Sequence, residues 1–162
     1  MKRFQKLYDE NKKLDVMFND LYNIYSDDII EKNIIELLVE LGELANESRS
    51  FKYWTKKPPS DKTIILEEYT DGLLMILAFF NVKEIDLDET FPIIEEKNII
   101  AAFKELFNLV SELDYNLDNN MLKLIFSNMI NLGYLLSFTD NDIIDGSINK
   151  INKNKIRFEG GF

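Results

Sequence analysis

Apolar residues recur along the chain at helical spacing and nowhere alternate with polar ones over a strand's length, so the pattern predicts helices joined by short connections. Leu7, Leu14, Phe18, Leu21 and Tyr25 form one stripe, which predicts a first helix over residues 2–25. Asn11 falls inside that stripe. Ser26, Asp27 and Asp28 then offer N-cap oxygens, and Asp28 followed by Glu31 is a weak capping box, so a second helix starts near residue 29. Ile34, Leu37, Leu38, Leu41, Leu44 and Ala45 carry it to about residue 49, ahead of Phe51, Tyr53, Trp54 and the breaker Pro58-Pro59. Ser60 or Asp61 caps a third helix over 62–81, and its second half is apolar on every side, which places it in the middle of a bundle. The acidic residues 83–89 read as a loop. Thr90 ahead of Pro92 marks a fourth helix reaching about residue 113. Asp118-Asn119-Asn120 precedes a fifth helix to about residue 138, and a short sixth starts near residue 140. The chain then turns basic and Asn-rich over 149–157 and continues to Gly160-Gly161-Phe162. The expectation is an all-α helical bundle with a four-helix core, about six helices and a basic C-terminal tail over 149–162.

Composition supports this and narrows the chemistry. Only 6 Gly and 3 Pro interrupt 162 residues, and 46% are hydrophobic, so one domain over 1–162 is expected. The 19 basic and 29 acidic side chains leave a net charge of −10, and such a surface repels nucleic-acid phosphates, so no nucleic-acid partner is expected. The sequence has no Cys, which excludes disulfides, thiolate catalysis and zinc fingers. It has no His either, which excludes Ser-His-Asp triads, H-E-x-x-H proteases and the Glu-x-x-His motif of di-iron bundles. Any metal is therefore held by oxygen. Met1-Lys2-Arg3-Phe4-Gln5-Lys6 opens no signal-peptide core, and the longest uncharged apolar run, 72–82, is too short to span a bilayer, so a cytoplasmic protein without membrane contact is expected.

Glu36, Glu40, Glu43 and Glu47 are spaced by four, three and four residues, which stacks them along one helical face. Taken alone, that stripe reads first as a solvated acidic face, because exposed carboxylates cost little. Glu67, Glu68 and Asp71 on the third helix change the reading, because they lie just ahead of the segment that is apolar all round. Glu40 with Glu43 and Glu68 with Asp71 each share a face, so two antiparallel helices can bring four carboxylates together. Anions gathered at a core either take up protons or bind cations. Mg²⁺ suits such a site, since it prefers carboxylate oxygens and bridges them to a substrate's phosphates. The pattern points to a metal-dependent nucleotide hydrolase.

Lys150, Asn154 and Arg157 form a small cationic patch on this acidic chain. One reading is a solvated, disordered basic end. The other is a clamp on a nucleotide's phosphates, with Arg157 as a bidentate fork and Lys150 as a point charge. Phe51, Tyr53 and Trp54 read as core or dimer packing by spacing alone, and Asn11 as a buried amide satisfied by a backbone carbonyl.

Glu36-Leu37-Leu38-Val39-Glu40-Leu41-Gly42-Glu43, the continuation through Phe51-Lys52-Tyr53-Trp54, and Glu67-Glu68-Tyr69-Thr70-Asp71-Gly72-Leu73 together resemble the dimeric, all-α dUTPase family. Lys150-x-x-x-Asn154-x-x-Arg157-x-x-x-Gly161-Phe162 is similar to that family's closing motif, which normally ends in Gly-Tyr, and Asn11-Lys12-Lys13-Leu14-Asp15 is similar to its Gln-x-x-Leu-Asp element. The resemblance covers nearly the whole chain. It implies that Glu40, Glu43, Glu68 and Asp71 hold Mg²⁺, with two or more ions per site, and that Lys150, Asn154 and Arg157 bind the triphosphate as the tail closes on it. It implies further that Asn11 stands in for the amide that reads uracil, that Phe51 and Trp54 line the base or sugar pocket, and that a homodimer shares groups between sites. Three departures are visible: Asn11 replaces a Gln, Leu74 sits where a His commonly touches the sugar, and Ser147 takes the tail's usual Tyr position.

The expected reaction is hydrolysis of dUTP between the α and β phosphates to dUMP and pyrophosphate, which limits uracil incorporation into DNA. Glu40 is the water-orienting base that the resemblance implies, and the family leans toward attack at the β phosphorus. Two alternatives stand beside this reading. One is a MazG-like or dCTP-directed pyrophosphatase on the same carboxylate cage, for which the Asn11 and Leu74 departures speak. The other is a non-catalytic helical module whose acidic face binds a partner, and an enzyme of this type can also be the target of a regulatory protein partner.

Overall fold

A computed structural model describes residues 1–161. Phe162, the end of the closing motif, lies outside the described residues. A 3₁₀ turn, Lys2–Phe4, leads into α1 (Gln5–Tyr22), α2 (Asp27–Ser48), α3 (Lys62–Val82), α4 (Ile99–Ser111), α5 (Asn119–Leu135) and α6 (Asp140–Glu159), with no strand among the described residues. Among the described residues, no single helix is long and apolar enough to cross a membrane.

The helix that the sequence marks as apolar on every side is the centre of the bundle. Tyr69, Leu73, Ile76, Leu77 and Phe80 of α3 are all fully buried, and burial of each such side chain is worth about 1.5–3 kcal/mol. α3 packs against α1, α2, α5 and α6, while α4 lies on α2 and α5. At Gly133 the contact with α5 is close enough to leave no room for a side chain. A Cβ there would lie 2.7 Å from the Tyr69 hydroxyl oxygen. Tyr69 cannot step aside, because its ring is buried and its hydroxyl donates to the Met129 carbonyl at 2.9 Å. Gly133→Ala is therefore expected to cost about 1–3 kcal/mol, seen as a lower urea midpoint at unchanged slope. An unchanged midpoint would contradict this crossing.

Several boundaries differ from the sequence reading, each for a local reason. α1 stops at Tyr22 because Asn23 takes a left-handed conformation at φ 49° and caps it, so Leu21 is 64% exposed and the apolar stripe ends at Phe18. The Asp28/Glu31 capping box does not form. Asp28 pairs with Lys32, and Glu31 accepts the Tyr115 backbone N–H at 2.8 Å. α4 begins at Ile99 instead of near Thr90, because the Asn98 side chain accepts from the Ile100 and Ala101 N–H groups. Phe91 meanwhile packs its ring against Phe80 and Phe126 and holds the preceding segment to the core.

The largest difference is α6. It opens with a complete capping box between Thr139 and Asp142 and runs unbroken to Glu159, so the basic segment is its second half. Ile143, Ser147 and Ile151 continue a buried stripe at four-residue spacing through the compositional change. Lys155 pairs with Glu10 of α1 at 3.2 Å, and the Phe158 ring meets Phe18 with centroids 4.6 Å apart.

Candidate functional site

Glu47 of α2 accepts from Ser60 at one end of the α2–α3 pair, and a Cβ at Gly72 would lie 3.7 Å from Leu37 and 4.0 Å from the Glu40 Cβ. The two helices are thus antiparallel, and the bare backbone at Gly72 lets Glu40 approach Asp71. Each of Glu40, Glu68 and Asp71 contributes an oxygen to a group whose members lie within 4.8 Å of one another. Glu40 Oε2 is buried and has no hydrogen-bond partner. Burial, then the charges of Asp71, Glu43, Glu68 and Glu36, push its carboxyl up to about 7. Burial also raises Glu68 and Asp71, and for Asp71 the Lys150 ammonium works against it. Orphaned, crowded, hard oxygens of this kind fit a divalent cation such as Mg²⁺.

The other sequence candidates fall around this group. Glu43 is exposed and adds its charge from the side. Glu67 points to solvent, where Lys153 pairs with it. Lys150 reaches from α6 to place its ammonium 2.7 Å from Asp71 Oδ2. Asn154 follows one turn later and lines a cleft of about 200 Å³ together with Glu40 and Asp71. Arg157 is on the same side of α6, one further turn along, and exposed.

That cleft runs from the carboxylates along α3 past Leu74, Met75 and Ala78, with Asn11, Asp15 and Phe18 of α1 as its far wall and Glu36 beside it. A second hollow of about 160 Å³ shares Asp15 and Glu36 and extends to Asn33 and Ile24. A larger open groove lies between α2, α4 and α5, lined by Leu38, Ile100 and Phe107 together with Glu96, Lys104 and Glu105, and the close carboxylate group of Glu40, Glu68 and Asp71 lies outside it. Chemistry, not volume, makes the smaller cleft the candidate site.

Asn11 is 1% exposed, and its amide nitrogen donates to the Leu74 carbonyl at 3.3 Å, so the buried-amide reading is realised in part even though the residue borders the cleft. Phe51 and Trp54 do not line the cleft within one chain. They sit in the turn after α2, 45% and 63% exposed, with their rings edge to face at 5.8 Å. That turn starts where Arg49 adopts a left-handed φ of 56°, at the end of the α2–α3 pair away from Met75 and Ala78. Asp15 is a cleft residue that sequence reasoning missed as a candidate. Its signal was present in the Asn11-to-Asp15 element.

A family model described as dUTPase matches residues 3–162. No curated protein matches the chain.

Proposed function

The chain belongs to the all-α dUTPase family and is a dUTP diphosphatase, a hydrolase; on that premise we propose that it splits dUTP between the α and β phosphates to dUMP and pyrophosphate, with Mg²⁺ held by Glu40, Glu43, Glu68 and Asp71. The observation that carries this reading is Glu40, which has one buried, unpartnered oxygen and also sets a carboxylate oxygen within 4.8 Å of oxygens of Glu68 and Asp71. Two or more Mg²⁺ ions, when bound, neutralise the triphosphate and acidify the attacking water.

The protein's own groups do the rest. Glu40 takes the proton from the water as the water's oxygen bonds to phosphorus and the bridging P–O bond breaks. Lys150 leaves Asp71 for the phosphates, and with Asn154 and Arg157 it balances charge moving onto the departing group. The apolar wall of Leu74, Met75 and Phe18 keeps bulk water from the nucleoside. By consuming dUTP the enzyme limits uracil incorporation into DNA.

The reading includes a homodimer. Phe51 and Trp54 are too exposed and too far along α2 to serve their own cleft, and in a dimer they line the base or sugar pocket of the partner's site. Ile35 and Val39, exposed one turn apart on α2, add apolar surface for such contact.

The test is purified protein with Mg²⁺ and dUTP, dCTP or dTTP, with products identified. Release of dUMP and pyrophosphate from dUTP is the expected result, and orthophosphate, or no hydrolysis, overturns the reading. Arg157→Ala is expected to raise KM for dUTP about 10-fold or more, since a charge-assisted hydrogen bond contributes about 1.5–3 kcal/mol, with helix content unchanged. A wild-type KM in that variant removes Arg157 from the clamp.

A further inference from the structure

The cleft holds a carboxylate that the cation-binding group does not use. Asp15 is 6% exposed, and the hydrogen bonds it accepts, from Asn11 Nδ2 at 3.4 Å and Asn81 Nδ2 at 3.3 Å, both fall on Oδ2. Its other oxygen, Oδ1, takes neither bond, and the residue lines both the cleft and the hollow next to it. The Asn11 amide nitrogen is committed to the Leu74 carbonyl and to Asp15, and the Asn81 amide nitrogen also donates to the Tyr25 hydroxyl at 2.9 Å. Two amides on α1 and α3 thus hold Asp15 in one orientation.

Around that fixed acceptor Phe18, Met75 and Ala78 supply apolar wall, with Glu36 and Asn11 as the polar neighbours. A flat heteroaromatic ring with an N–H on its edge fits such a place. The position along the cleft also fits: Ala78 lies about two helical turns beyond Asp71, roughly 10 Å at 1.5 Å per residue, the distance from a nucleotide's phosphates to its base. Burial pushes the Asp15 carboxyl up to about 7, and the hydrogen bond from the Asn81 amide eases it only in part.

We infer that Asp15 selects the pyrimidine, its Oδ1 accepting the N3–H of uracil, with Asn11 and Asn81 as positioning residues that orient the carboxylate. The inference rests on the dUTP reading above and moves base recognition from Asn11 to its neighbour one turn on. Cytosine carries a lone pair at N3, which would face a carboxylate lone pair across the cleft, whereas uracil presents a donor. Sites that hydrogen-bond a substrate N–H reject analogues without it far more strongly than apolar pockets reject a missing methylene.

The experiment compares kcat/KM for dUTP, N3-methyl-dUTP and dCTP in wild-type protein and in Asp15→Asn, with helix content checked by circular dichroism. Wild type is expected to favour dUTP over both others by at least about 100-fold. Asp15→Asn offers an amide N–H₂ to the cytosine N3, so the dUTP-to-dCTP ratio is expected to fall about 10-fold or more, mainly through KM, corresponding to one lost hydrogen bond. Wild-type protein that accepts N3-methyl-dUTP as readily as dUTP overturns the inference without any variant. An unaltered ratio in folded Asp15→Asn also overturns it, while dUTP hydrolysis itself still stands. Hydrolysis of none of the three by wild type overturns the dUTP reading and this inference with it.

Discussion

Glu40→Gln is expected to cut turnover of dUTP by about 10²–10⁴-fold, the range that a positioned general base contributes, while making the metal-free protein more heat-stable at pH 8. The two effects share one cause. Glu40 is half enclosed among Asp71, Glu43, Glu68 and Glu36, and its carboxyl stands near 7 against an ordinary value of 4.5. Between those values the folded chain binds more protons at this group than the unfolded chain does, so stability falls as pH rises from 4.5 through 7 and levels off above. Glutamine has no proton to lose. It also gives the orphaned position an N–H₂ donor beside two carboxylates, where wild type has a bare oxygen. Pyrophosphate release and thermal melts in EDTA at pH 5 and pH 8 check both halves. Wild-type turnover in the variant would remove Glu40 from catalysis, and a melting temperature that drops at pH 8 would mean that its charge is compensated in the folded chain.

Excess EDTA is expected to abolish hydrolysis, and restored Mg²⁺ is expected to raise the melting temperature. Oxygens of Glu40, Glu68 and Asp71 approach within 4.8 Å, where each ionised pair repels by roughly 3 kcal/mol at an effective dielectric of about 20. A triphosphate brought to the same place adds further negative charge, and Lys150 alone meets only part of it. Without a divalent ion the substrate is repelled by the groups that should act on it. With the ion at a hundred times its dissociation constant the folded state gains about 2.7 kcal/mol. Calorimetric melts with and without Mg²⁺, run beside the activity assay, separate binding from catalysis. Activity that survives EDTA would contradict the role given to the carboxylate group.

The sequence made the central helix plain, because a segment apolar on every side has only one stable place in a bundle. It also brought Glu40, Glu68 and Asp71 together, since spacing of three and four on facing helices leaves few other arrangements. The start of α4 was hidden because Pro92 reads as a first-turn residue, while the packing of Phe91 on Phe80 and Phe126 decides the matter from far along the chain. α6 was cut short for a similar reason: Asn and Lys near 150 look like a solvated end, yet Ile143 and Ile151 stay on a buried stripe. The exposure of Glu43 depends on which way α2 rotates against α3, a fraction of a turn that spacing does not fix. Asp15 was missed because an acid beside Leu14 reads as surface, and its burial depends on Asn81, 66 residues away.

The candidate cleft has α1 for one wall and Asn154 of α6 in another, and the Lys155–Glu10 pair that joins the two helices spans 145 residues. Individual helices form in about a microsecond or less, whereas contacts between distant parts of a chain pay their closure entropy late. Refolding should therefore restore circular dichroism before it restores a nucleotide's grip. A refolding time course followed by both signals would time the docking of α6 onto α1 directly.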